Sequence, residues 1–329
     1  MNMRAIQIQA AGAKPTVTEI PAPTEVAADQ VRVHVAASAL SNLAKRVAMG
    51  AHYSADDVYP KTVGLDGVGT LDDGTYVYFD HPLGGALAEE VIVPIAHVME
   101  IPASLDPVNA AALPNPGMSS YAALTYRAQL QAGETVLING ATGVAGQLAV
   151  KMAYALGAKK VIATGRRAEA LNATGADITI ASNQLDLTDA DSRAAYGASL
   201  ATVAGEVDVV LDYLYGPSAE VLLTALAQTT AGSHPVRYVE VGAMAGATLN
   251  LPASLLRSSK LSIMGSGLQA VDTVDLQTAV EQTYQLAGRY GWQVPTQAFE
   301  LSDIATAWTA PNNPRAVITF CLFRINRFF

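Results

Sequence analysis

Through the middle of the chain, short apolar runs alternate with stretches of helical spacing. The runs fall at residues 135–139, 160–164, 178–181, 207–212, 236–241 and 261–264, with no proline inside any of them. Continuous apolar character over four to six residues suits strands buried on both faces of a parallel sheet. Residues 144–156 and 218–228 between them carry the apolar spacing of helices. Alternating β and α elements predict a doubly wound parallel sheet. The first third reads as β-rich instead, with short runs at 5–9, 30–36, 76–79 and 90–93 separated by Gly, Pro and Asp. Pro21 and Pro23 predict an extended turn, and Gly64-Leu65-Asp66-Gly67-Val68-Gly69 followed by Asp72-Asp73-Gly74 predicts closely spaced turns. The texture changes at Leu113-Pro114-Asn115-Pro116-Gly117, after which Ser119 or Ser120 can cap a helix. Beyond Gly267 come a helix over about 274–290 and a last apolar run at 316–320, with no place in the central sheet. The expected class is therefore α/β, a Rossmann-type sheet over residues 116–267 inserted in a β-rich domain built from 1–115 and 268–329.

Composition narrows the function. Half of the 329 residues are hydrophobic and 15% are charged, which excludes a disordered chain. Twenty basic against twenty-nine acidic residues, a formal charge of −9, argues against nucleic acid as partner. No stretch approaches the ~20 apolar residues of a membrane helix, and residues 1–8 show no secretory h-region. A cytoplasmic protein acting on a small molecule is expected. The single cysteine, Cys321, excludes an internal disulfide and any zinc site built on two cysteines.

One segment points to a ligand. The run at 135–139 leads into Gly140-Ala141-Thr142-Gly143-Val144-Ala145-Gly146 and then a helix. Gly140 permits the tight turn, Gly143 lets backbone approach a pyrophosphate, and Gly146 lets helix and strand pack closely. The helix start adds free N–H groups and the positive end of a dipole. An NAD site places a carboxylate at the end of the next strand, but here the chain reads Gly165-Arg166-Arg167. A guanidinium pairs with a ribose 2′-phosphate that a carboxylate would repel. NADPH is the cofactor expected.

Taken together, Gly64–Gly69, Gly84-Gly85-Ala86-Leu87-Ala88-Glu89, Pro116-Gly117-Met118-Ser119-Ser120-Tyr121, the turn at 139–146, Asp208–Tyr213 and Val239-Glu240-Val241-Gly242 resemble the zinc-free, quinone oxidoreductase-like members of the medium-chain dehydrogenase/reductase superfamily. The resemblance spans nearly the whole chain. It implies a GroES-like catalytic domain, a Rossmann domain and NADPH in the cleft. Zinc-dependent relatives carry ligands at positions matching Asn42, Gly64-Leu65-Asp66 and about Pro116; only Asp66 could ligate here, so no metal is expected. The resemblance puts Asn42 and Tyr53 near the nicotinamide as donors to the reacting oxygen. The position five residues after Asn42, often tyrosine in the family, is Val47; Lys45 and His52 are possible substitutes. It further suggests Tyr213, Gly242, Ala243, Gly265, Ser266 and Gly267 along the cofactor, in loops at strand carboxyl ends. The expected activity is hydride transfer to a quinone or to the C=C of an α,β-unsaturated carbonyl. A carbonyl reductase and a non-catalytic NADPH-binding protein are the alternatives. The Tyr-x-x-x-Lys pair of short-chain dehydrogenases is absent. The run at 261–264 could pair with its copy across a homodimer.

Overall fold

The architecture was obtained as a computed structural model that describes residues 1–51, 55–56, 58–183, 185–229 and 234–320. The chain forms two units, one made of Met1–Asn115 with Ala287–Phe329 and the other of Pro116–Leu286. Among the described residues, no helix is long and apolar enough to cross a membrane.

The first unit opens with β1 (Asn2–Ile8), β2 (Thr16–Pro21), β3 (Gln30–Ala39), α1 (Asn42–Ala48) and β4 (Lys61–Thr62). It continues through β5 (Asp66–Thr70), β6 (Tyr76–Asp80), β7 (Glu90–Pro94), a single 3-10 turn at Ile95–His97, β8 (Val98–Glu100) and α2 (Pro107–Ala112). The long strand β3 pairs antiparallel with both β5 and β7, and β6 lies between β5 and β8. Ile6, Ile8, Val33, Val35, Phe79 and Leu87 fill its core without solvent exposure. Each such side chain contributes roughly 1.5–3 kcal/mol by leaving water.

The segment at 64–69 is not a run of turns. Asp66–Thr70 is strand β5, and its glycines are there because neighbours crowd it. A Cβ on Gly67 would sit 2.8 Å from the Phe79 ring and 2.9 Å from Ala37 O, and one on Gly69 would sit 2.2 Å from His34 O. The β3–β5 register shifts between Val35 and Ala37, so backbone is pressed against backbone at that irregularity.

The second unit begins within α3 (Pro114–Ala122), which runs into a π-helical turn at Ala123–Arg127. The prolines stand in the first turn of α3, where no N–H is missed. Ser119 and Ser120 therefore lie inside the helix rather than at its cap, and both hydroxyls donate back to Pro116 O. Six strands follow: β9 (Thr135–Asn139), β10 (Lys160–Gly165), β11 (Ile178–Ala181), β12 (Val209–Asp212), β13 (Val236–Glu240) and β14 (Leu261–Gly265). Helices α4 (Val144–Ala155), α5 (Ala168–Asn172), α6 (Ala190–Ala204), α7 (Gly216–Thr229) and α8 (Ala253–Ser258) connect or follow them. All pairs are parallel in the order β11-β10-β9-β12-β13-β14. That is the doubly wound 3-2-1-4-5-6 arrangement, with its switch point between β9 and β12.

The chain leaves the second unit through α9 (Thr273–Tyr290) and completes the first with β15 (Thr296–Glu300), α10 (Ile304–Thr309) and β16 (Arg315–Thr319). β16 lies antiparallel on β3. The return starts at Ala287, not at residue 268 as expected, because α9 up to Leu286 belongs with the second unit, where it touches α3. Ala279 is buried with Ala122 and Val271, and a Cβ on Gly117 would meet the Thr283 side chain at 2.1 Å. A glycine at 117 is what lets the two helices approach.

Candidate active site

In the second unit, the glycine-rich turn follows β9 at the carboxyl edge of the sheet. Gly140 has φ +91, a conformation open to glycine and costly for other residues. A Cβ on Gly146 would be 2.3 Å from Gly140 O and 2.6 Å from Ala141 Cα, so the start of α4 rests directly on the turn. Gly143 differs: it caps α4, is exposed, and a Cβ there would find nothing closer than Gly140 O at 3.8 Å. It offers no side-chain oxygen to the first amides of α4, beginning at Val144, which leaves them free for an anion. The turn is pinned from below, Gly140 N and Ala141 N both donating to Thr164 O at 3.1 and 2.9 Å. Thr142 O accepts from Gln147 Nε2 at 3.0 Å.

Gly165, ending β10, lies against this turn, since a Cβ there would be 3.2 Å from Thr142 Cγ2. Arg166 and Arg167 follow immediately and are exposed. Among the described residues, neither side chain makes a hydrogen bond or ion pair. The site thus has backbone donors at a helix start and, one strand over, two guanidinium groups without partners.

Beneath the turn lies a buried polar network. Asn139 Nδ2 donates to Asp212 Oδ1 at 2.8 Å, while Asn139 Oδ1 accepts from Thr164 Oγ1 and Ser218 Oγ at 2.7 and 3.1 Å. Asp212 also accepts from the Leu214 and Tyr215 amides and from the Tyr238 hydroxyl. Burial pushes the Asp212 carboxyl above its ordinary range, against the pull of these donors. The same burial, reinforced by Asp212, pushes the Tyr238 phenol well up. The network ties the ends of β9, β10, β12 and β13 together and holds Tyr215 at φ +55. Its one sequence signal is a polar residue closing each apolar run, Asn139 and Asp212.

The other residues expected along a cofactor occupy loops at the same edge. Tyr213 is buried, its hydroxyl 2.8 Å from Ser120 Oγ, and burial pushes its phenol up to about 12. Gly242 rests on Tyr213, a Cβ there lying 3.3 Å from Tyr213 O, and Ala243 is exposed. Gly265 and Gly267 are exposed around a buried Ser266, whose amide donates to Glu240 O at 2.7 Å.

In the first unit, Asn42 is the first residue of α1, half-buried, with Ser41 Oγ capping the helix at Ala44 N. Lys45 Nζ donates to Trp308 O at 2.8 Å, and burial lowers its pKa. Tyr53 and His52 lie outside the described residues, as does Cys321. Asp66 accepts from the Tyr78 hydroxyl at 3.3 Å. Burial and the nearby Asp80 push its carboxyl up to about 7, although Arg315 pulls it down.

No protein-family model matches the chain. It is 30% identical to quinone oxidoreductase-like protein 2 of Mus musculus over 262 residues, 76% of this chain and 71% of that protein. It is 28% identical to a probable NADPH-dependent quinone reductase of Emericella nidulans, across 89% of this chain and 92% of the relative. Among solved structures, the quinone oxidoreductase of Thermus thermophilus, determined alone and with NADPH, matches with TM-score 0.75 and 27% identity over 97% of this chain and 100% of that one. A Rossmann-like sheet joined to a separate mixed-sheet unit, with these relatives, defines an oxidoreductase of the quinone or enoyl reductase type. The chain belongs to the quinone oxidoreductase-like branch of the medium-chain dehydrogenase/reductase superfamily.

Proposed function

We propose that the protein is an NADPH-dependent, zinc-independent reductase acting on a quinone or on the activated C=C of an α,β-unsaturated carbonyl. One observation carries the cofactor reading: the turn is crowded at Gly140 and Gly146 but open over Gly143, and unpaired Arg166 and Arg167 stand beside it. The α4 amides and Gly143 hold the diphosphate, with Ala141, Thr142 and Val144 shaping the turn. Arg166 or Arg167 pairs with the 2′-phosphate, and the half-buried Gly242 with the exposed Ala243, Gly265 and Gly267 gives backbone access along the rest of the nucleotide. Tyr213 and Ser266 support these loops from beneath rather than reaching into solvent. The bound nicotinamide supplies the hydride.

Asn42, and Tyr53 by family resemblance, donate hydrogen bonds to the oxygen that gains charge, the work a metal does in zinc-dependent relatives. Asn42, Leu65 and Pro116 offer no ligand set at the matching positions, and the Asp66 carboxyl is committed to Tyr78. The test is NADPH oxidation with a quinone, an enone and a saturated ketone. Turnover of either of the first two supports this reading. Turnover of the ketone alone makes the protein a carbonyl reductase, and none with any leaves only cofactor binding. We also propose a homodimer paired along β14, which among the described residues pairs only with β13 and exposes Ser262 and Ile263. Light scattering at micromolar concentration tests it, and a monomer mass would refute it.

A further inference from the structure

We propose that Asp80, His81 and His97 form a binding site for a divalent transition-metal ion of the zinc class, built from residues other than those at the zinc positions of the metal-dependent relatives. The three residues come together through strand pairing. Asp66 is opposite Asp80 on β5 and β6, and Phe79 is opposite Val98 on β6 and β8, so Asp80 and His97 are the residues just beyond the end of that ladder. His81 follows directly, and its amide donates to Leu65 O at 3.2 Å. Its φ of +49 is uncommon for a side-chain-bearing residue, and here it accompanies an imidazole folded back over the end of β6.

Both imidazoles aim Nδ1 at one oxygen. His81 Nδ1 is 2.9 Å and His97 Nδ1 is 2.5 Å from Asp80 Oδ1, and the ring centroids are 4.7 Å apart. One ligand atom from each of the three residues lies within 4.8 Å of the others. Ligands about 2.0–2.2 Å from a shared ion stand roughly 3 Å or slightly more from one another, so a small movement would admit one. Two imidazoles and a carboxylate are the donor set of open zinc sites and of related first-row metals, with the remaining positions left to water. Access fits as well: the His81 side chain is 70% exposed, while those of His97 and Asp80 are 23% and 20% exposed and so held in place.

Charge also favours a cation. Asp66 and Asp80 stand directly opposite on adjacent strands, so two acidic groups share this end of the sheet. Arg315 acts on Asp66, and a dication held by Asp80 would offset the other.

The chelator-treated full-length chain should bind about one equivalent of Zn²⁺ in isothermal titration, with protons released as the imidazoles give up Nδ1–H. Co²⁺ in the same site should show a visible absorption band. H81A and H97A should each weaken Zn²⁺ binding at least about tenfold, as loss of metal-site partners does. H34A should leave it unchanged, because His34 lies elsewhere beside Asp72 and Glu90. Thermal unfolding of each metal-free variant checks folding, and the exposed His81 keeps the test available should H97A not fold. Absence of stoichiometric binding to the wild type, or wild-type affinity in H81A, would overturn the proposal. These titrations need no NADPH, so their outcome stands apart from that of the reductase assay.

Discussion

Two glycine-rich stretches, Gly64–Gly69 and Gly140–Gly146, look alike on paper and are unlike in the molecule. In the first, Gly67 and Gly69 sit within strand β5, where an added carbon would strike Phe79, Ala37 O or His34 O. In the second, Gly146 is crowded in the same way and Gly140 is held at φ +91 beside the Leu214 side chain, but Gly143 faces open space at the start of a helix. Spacing alone does not separate a glycine that admits a neighbouring backbone from one that admits a ligand. The surroundings of the absent side chain do, and Gly143 is the position where room and free amides coincide.

The comparison breaks first at the crowded positions. G69A and G146A each force a Cβ within 2.3 Å of a backbone oxygen, so something must shift. Each should cost about 3 kcal/mol or leave the chain unable to fold, read by chemical denaturation. Stability within ~0.5 kcal/mol of the wild type would show that the crowding is relieved at no cost. Next comes D212N. An amide replaces one acceptor oxygen of Asp212 with a donor that faces groups able only to donate, the Leu214 and Tyr215 amides among them. A loss of roughly 2–3 kcal/mol is expected in the same measurement. An unchanged midpoint would mean the network does not hold the turn.

G143A sharpens the contrast from the other side. Its backbone, φ −74 and ψ 164, suits any residue, so stability should move by no more than about 1 kcal/mol. NADPH affinity should nevertheless fall several-fold, because the new methyl occupies the approach to the amides. Unchanged affinity would place the diphosphate elsewhere.

A further effect concerns pH and belongs to the first stretch. The Asp66 carboxyl is pushed from 3.8 to about 7 in the folded protein, so between those values the folded state holds a proton that the unfolded chain has lost. Its contribution to stability therefore falls as pH rises from 3.8 to 7 and is flat beyond. The difference between wild type and D66N in unfolding midpoint should show that slope; a pH-independent difference would contradict it.

The parallel sheet is legible in the sequence because each of its strands is a continuous apolar run, a signal contained in four to six residues. The turn at 140–146 is legible because strand, glycines and helix follow one another directly. β5 misleads, since its glycines answer to β3 and β6, which local spacing does not reveal. Asp212 and Asn139 are 73 positions apart and meet only once β9 and β12 pair, and Asp80 meets His97 only through the β6–β8 ladder. The end of the central insert reads too early for a similar reason, since the Gly117–Thr283 contact joins distant helices.

The central claim is that this turn, with the guanidinium groups after β10, binds a 2′-phosphorylated dinucleotide. The direct measurement is the Kd of NADPH and of NADH for the wild type and for R166A/R167A. The wild type should prefer NADPH by tenfold or more, equivalent to about 1.4 kcal/mol, and the double variant should lose that preference while its NADH affinity stays the same. Equal affinity of the wild type for both nucleotides, or a preference that survives removal of both arginines, would contradict it.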